Sequence, residues 1–146
     1  MARIALVAFV AVVLLSTGGS AALSPPALPL VGQADLPLYP AVAWGLRISG
    51  TVVVTVTVDG GGKAGVLIKS SSSKWLTAPT LANARSWRFQ SGMPGTFDLT
   101  YTYQIKGSPT DLPESPKVVL NLPYSVTVIA HPFKPTRFDD PAGHSR

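Results

Sequence analysis

The segment Gly50–Lys63, GTVVVTVTVDGGGK, restricts the fold of this chain more than any other. Val52, Val54, Val56 and Val58 fall on one face and Thr51, Val53, Thr55 and Thr57 on the other. That period of two belongs to a strand with one side against a core. Asp59–Lys63 can supply the positive φ angles of a hairpin turn, and AGVLIKS, Ala64–Ser70, is the return strand. Ahead of the hairpin stands Tyr39-Pro40. A proline costs nothing in the first helical turn, where its missing N–H has no partner to lose, so Pro40–Leu46 is predicted as a short helix. Val42, Trp44 and Leu46 are then available for burial.

After the hairpin, SSSKWLTAPTLANARSW loses the alternation. Trp75, Leu76, Leu81, Ala82 and Ala84 fall roughly on one helical stripe, which predicts a helix of about ten residues with Thr77 as N-cap, Pro79 in its first turn and an end near Arg85. Trp87-Arg88-Phe89 leads into a loop, QSGMPG. TFDLTYTYQI then places Phe97, Leu99, Tyr101, Tyr103 and Ile105 opposite Thr96, Asp98, Thr100, Thr102 and Gln104, a third amphipathic strand. Further on, KVVLNLPYSVTVIAHP holds two β-prone runs interrupted by Pro123, either a hairpin or one broken edge strand. The order predicts an α+β fold: a two-layer domain with a three-stranded antiparallel sheet and two helices on one face, plus an extra C-terminal strand or hairpin. Trp44, Trp75 and Trp87 are expected to pack on the sheet, and Tyr101 and Tyr103 to sit in the core with hydroxyls at the rim. Tyr39 is placed at the surface, as a packing anchor or a partner contact.

With 146 residues, the chain has material for one modest core. Its fourteen prolines cluster at Pro25–Pro40 and Pro109–Pro141, leaving a proline-poor middle as the folded unit. The first residues, MARIALVAFVAVVLLSTGGSAALS, combine a basic start, an apolar run from Ile4 to Leu15 and small residues around Gly19–Ala22. A bilayer-spanning helix needs about 20 apolar residues, so a cleaved export signal is expected, with an anchor through residues 4–23 as the alternative. No Cys is present, which removes both a lipoprotein anchor and a disulfide framework. The formal charge of +5 is scattered as isolated Lys and Arg, with no basic stripe interleaved with aromatics, so nucleic acid is not an expected partner.

Chemistry finds little support in the residues. Gly60-Gly61-Gly62-Lys63 lacks the spacing of a phosphate loop and precedes a strand, so it reads as a turn. Ser70–Ser73 has no neighbouring base, and the two histidines, His131 and His144, both lie near the C-terminus. His131, Asp139, Asp140 and His144 could meet at a metal only if that tail folded around an ion, and a solvated tail is the simpler reading. No catalytic residue, metal, cofactor or small-molecule substrate is expected, and the chain reads as a non-enzyme.

Tyr39-Pro40, the short helix, Gly50 opening a Val-rich strand, Asp59-Gly60 closing it, the Ser-rich link, the second helix and Trp87-Arg88-Phe89 follow in an order and spacing that resembles the C-terminal domain of the TonB family of periplasmic energy transducers. The resemblance covers about Leu36 to Ile105. It implies a periplasmic module that binds an extended segment of an outer-membrane receptor, or another periplasmic protein, by adding it as a strand to an exposed sheet edge. An unpaired edge offers rows of N–H and C=O groups, so the main chain supplies affinity with little demand on side chains. Carried over residue by residue, the implied surface is Leu38, Tyr39 and Pro40 at the entry and Thr96, Phe97, Asp98, Leu99, Thr100, Tyr101, Thr102, Tyr103, Gln104 and Ile105 on the last strand.

Transducers resembling this domain carry a membrane helix with a histidine and a long proline-rich arm. Here the apolar N-terminal segment has no His and the connector is short. Two alternatives therefore stand beside the receptor-binding module. One is an exported structural or assembly protein whose segment Lys117–Ala130 caps the last strand, or swaps onto another copy to make a homodimer. The other is a true transducer anchored in the inner membrane. The expected organisation is a signal or anchor over 1–22, a proline-rich connector over 23–35, the TonB-like domain over 36–106, an extension with strands over 107–130, and a disordered tail over 131–146.

Overall fold

The computed structural model describes residues 27–109 and 115–134. The expected signal or anchor, the start of the connector and residues 135–146 of the expected tail lie outside the described residues.

Residues of the expected connector take part in the fold. Val31–Gln33 forms a strand, β1, and the helix α1 follows at Ala41–Gly45 with Pro40 as N-cap. Next come β2 (Gly50–Val58) and β3 (Ala64–Ser71), the predicted hairpin. Asp59 holds the turn: its carboxylate accepts from the backbone N–H of Gly61 and of Lys63, both at 2.9 Å. Gly62 has φ +82°, and a Cβ there would overlap the carbonyl oxygen of Phe89, so glycine is required.

Helix α2 runs from Lys74 to Ser86. It starts earlier than predicted because Ser73, not Thr77, caps it, accepting from the N–H of Trp75 at 3.3 Å. Pro79 consequently lies inside the helix. The buried stripe is Leu76, Thr80 and Ala84, four apart: Leu76 and Ala84 are as predicted, Thr80 is added, Leu81 is partly buried, and Trp75 and Ala82 are exposed. Strand β4 (Arg88–Phe89) pairs antiparallel with β1. Strand β5 (Gly95–Ile105) is the predicted third strand, and β6 (Lys117–Asn121) and β7 (Ser125–Ala130) form a hairpin around the cis Leu122-Pro123 bond.

The main sheet has five strands in the order β3-β2-β5-β7-β6. Its first three are antiparallel, while β7 joins β5 in parallel and is itself paired antiparallel to β6. The three-stranded unit read from the sequence is thus present, and the C-terminal hairpin extends it. Register explains the core: Val52, Val54 and Val56 stand opposite Tyr101, Leu99 and Phe97, all buried. Tyr101 and Tyr103 continue across to Val126 and Val128, all four buried. Each fully buried Val contributes about 1.5–3 kcal/mol.

Several side chains sit differently from expectation. Tyr39 is 5% exposed and meets the Tyr103 ring edge-on, with centroids 5.5 Å apart. It is a core residue whose hydroxyl donates to the Ile48 carbonyl at 2.7 Å. Of the residues predicted for burial on α1, Val42 and Leu46 are exposed and Trp44 is half-buried, because the five-residue helix turns Ala43 inward. Trp87 is fully buried, but Trp75 faces solvent beside the Lys74 ammonium, 4.9 Å from the ring centroid.

The tyrosine hydroxyls are not at a rim. Tyr101 OH donates to Asn83 Oδ1 at 2.8 Å, the same oxygen that accepts from Trp87 Nε1 at 3.2 Å. Tyr103 OH and Thr80 Oγ1 share a hydrogen bond of 2.9 Å. Burial pushes the phenols of Tyr39, Tyr101 and Tyr103 above their ordinary range, so each stays a neutral hydrogen-bonding group.

Candidate functional site

The expected binding strand, β5, presents two different margins. One pairs with the whole of β2, from Gly95↔Val58 to Tyr103↔Gly50. On the other, Thr100–Ile105 pairs in parallel with Ser125–Ala130. The parallel ladder is closed at both ends by bonds of 2.9 Å, Thr100 N–H to Tyr124 O and Lys106 N–H to Ala130 O. The expectation of a free margin along the last strand is therefore corrected for Thr100–Ile105: the chain's own C-terminal strand fills it. Only Gly95–Leu99 has no strand partner on that side among the described residues.

Side-chain placement along β5 follows the pleat. Phe97, Leu99, Tyr101 and Tyr103 are buried and their backbone N–H and C=O groups face β2; the backbone groups on the other margin belong to Thr96, Asp98, Thr100, Thr102 and Gln104, in phase with the Thr100 N–H that reaches Tyr124 O. Thr96 and Asp98 are exposed on the open face, and Thr100, Thr102, Gln104 and Ile105 are half-buried. Asp98 is engaged there: it accepts from Thr55 Oγ1 at 2.9 Å and pairs with Lys69. The Lys69 hydrogen bond, followed by that from Thr55, holds the Asp98 carboxyl below its ordinary range.

Of the entry residues, Tyr39 is committed to the core, whereas Leu38 is 77% exposed and Pro40 half-buried. Pro40 lines an apolar groove with Val42, Trp75, Ala78 and Pro79, between α1 and α2. The structure therefore does not merge the entry residues and the β5 margin into one surface. Tyr39 links them only through its ring contact with Tyr103.

What holds the C-terminal hairpin down was not legible in the sequence. Phe133 stacks on Trp44 with centroids 4.1 Å apart, and Trp44 Nε1 donates to the His131 carbonyl at 2.7 Å. His131–Lys134, expected to be disordered, is thus packed against α1 as a latch. The signal was present only as an isolated aromatic beyond the last strand. Trp44→Ala removes an aromatic pair worth about 0.5–1.5 kcal/mol and a hydrogen bond of similar net value. Amide exchange in β7 is expected to speed up by about ten-fold or more, with β2 and β3 unchanged.

No cluster of three or more His, Cys, Asp or Glu that could hold a metal occurs among the described residues. Asp139, Asp140 and His144 lie outside them. Among the described residues no helix is long and apolar enough to cross a membrane.

The described residues form a small two-layer α+β domain with a Tyr-Pro entry, a Val-rich hairpin and a long amphipathic strand, β5. Residues 35–107 match the family of the Gram-negative bacterial TonB protein C-terminal, and the chain belongs to that family. Its domain is accordingly a TonB-like energy-transduction or protein-interaction module of the cell envelope, in a family without enzymatic activity. The search of curated proteins finds no match. The matched span ends before β6, so the capping hairpin and its latch lie beyond the family's domain.

Proposed function

We propose that this chain is an exported, non-enzymatic periplasmic binding module that keeps its receptor-type edge closed with its own C-terminal hairpin. The observation that carries the reading is the parallel pairing of Ser125–Ala130 with Thr100–Ile105. β7 holds the place in which an extended partner segment would add. An outer-membrane receptor segment, or another periplasmic protein, joins Thr96–Ile105 only when the hairpin is displaced. Tyr39 supports β5 from the core side by packing on Tyr103, while Leu38 and Pro40 stand apart from that margin, Pro40 in the groove between α1 and α2. Burial favours the closed state: Val126, Val128 and Ala130 are fully buried, and an intramolecular strand acts at an effective concentration in the millimolar range.

Amide exchange on the full chain tests this. The amides that face β7, those of Thr100, Thr102, Gln104 and Lys106, are expected to be protected without any ligand, and receptor-derived peptides are expected to leave that protection unchanged at micromolar concentration. Fast exchange of these amides in the free chain, or protection that appears only with peptide, would overturn the closed reading.

A further inference from the structure

With β5 closed, the longest remaining sheet margin among the described residues is that of β3, which has β2 as its single strand neighbour. Its start is covered, since Lys63 bridges Arg88 and Gly62 O accepts from Phe89 N–H at 2.9 Å. Its end is altered by an irregularity: Val53 pairs with Ser70 and Val54 with Ile68, leaving Lys69 extra. Between these limits, Ala64–Ile68 is regular. Every second residue there directs its N–H and C=O away from β2, with no ladder to receive them.

A groove of about 520 Å³ runs along this margin, lined among others by Lys63, Gly65, Val66, Leu67, Arg85 and Arg88. The three cations are exposed and come from three places: the β2–β3 turn, the last turn of α2, and β4. No carboxylate is part of the lining. Gly65 carries no side chain to block an approaching backbone, and Leu67, 72% exposed, offers an apolar neighbour for a cross-strand pair. Open edges invite self-pairing, yet two copies meeting here would bring like charges together. An extended segment bearing carboxylates meets the opposite condition: its main chain completes the ladder while Lys63, Arg85 and Arg88 receive charge-assisted hydrogen bonds.

We infer that the β3 margin is a second binding site, for an acidic extended segment of a partner protein, with Ala64–Ile68 as the pairing strand and Lys63, Arg85 and Arg88 as the groups that select carboxylates. This goes beyond the closed β5 edge and does not depend on whether the hairpin opens.

The test uses the full chain and three eight-residue peptides: one alternating Glu and Val, one alternating Lys and Val, and the Glu peptide with alternate amides N-methylated. The Glu peptide is expected to shift the NMR signals of Ala64–Ile68, Arg85 and Arg88 and to slow amide exchange in β3, while the other two leave them unchanged. Lys63→Gln and Arg85→Gln are each expected to weaken it several-fold, up to about ten-fold, because each removes one charge-assisted hydrogen bond to a carboxylate. Arg88 is left intact because its guanidinium also donates to the carbonyls of Arg85 and Trp87. Equal binding of the N-methylated peptide, perturbation centred on β6 or β5 instead of β3, or equal binding of heparin to the same residues would overturn the inference. Readout at β3 keeps this outcome separate from the fate of the closed-edge reading, which is judged on Thr100–Ile105.

Discussion

A chain ending at Pro116 is expected to bind an extended receptor-type peptide about 100-fold more tightly than the full chain. Removal of the hairpin uncovers the β5 margin from Thr100 to Ile105, whose ladder groups are satisfied by Ser125–Ala130 in the full chain. It also takes away Val126 and Val128, both fully buried, each worth about 1.5–3 kcal/mol of apolar burial. Ordering the hairpin offsets part of this, and a surplus of about 3 kcal/mol corresponds to a closed fraction that weakens a competitor about 100-fold. The truncated chain keeps the whole matched span, residues 35–107. Should it self-associate through the uncovered margin, Val128→Glu in the full-length chain supplies the same opening, because an unpaired buried charge costs several kcal/mol and expels β7. Calorimetric titration of the two variants and the parent with one peptide decides the matter. Equal affinity in all three would mean that the hairpin does not govern access to β5.

The second large effect is expected at Asn83. Its Nδ2 donates to the Asp35 carbonyl at 2.9 Å, and its Oδ1 receives both the Tyr101 hydroxyl and the Trp87 indole. One side chain thus ties α2 to the entry segment and to β5. Asn83→Ala leaves two donors on fully buried rings without an acceptor, and each such loss costs about 1–3 kcal/mol. The expected destabilisation is about 2–4 kcal/mol, read as a fall in Tm of roughly 10–20 °C for a domain of this size. Asn83→Asp keeps an acceptor for both rings and is expected to lose less than half as much. A change within about 0.5 kcal/mol for Asn83→Ala would show that the network does not support the core.

Asn83 also marks where sequence reading stops. The strands were legible because Val52–Val58 and Phe97–Ile105 alternate, and their two inward faces do meet across the β2–β5 ladder. The helix bounds were not, because Ser73 and Thr77 are both good caps and only the hydrogen bond to Trp75 N–H decides between them. Tyr39 reads as surface beside Leu38 and Pro40, and its burial depends on Tyr103, more than sixty residues along the chain. Of the expected binding surface, β5 forms as a strand as read, and the pairing of its Thr100–Ile105 margin is not foreseen in the leading reading. KVVLN and SVTVIA announce two strands, but β propensity carries no information on which margin they join. The basic groove was equally hidden, since Lys63, Arg85 and Arg88 are scattered in sequence and gathered only by the packing of α2 and β4 beside β3.

The parallel placement of β7 has a temporal consequence. β5 is complete well before Ser125–Ala130 has been synthesised, and β6 reaches the sheet only through β7, so the hairpin docks on β5 by its second strand. Chains are made from the N-terminus, so earlier segments can form structure before later ones exist. A newly made chain therefore passes through an interval in which the Thr100–Ile105 margin is uncovered, and any strand met in that interval competes with one that has not yet arrived.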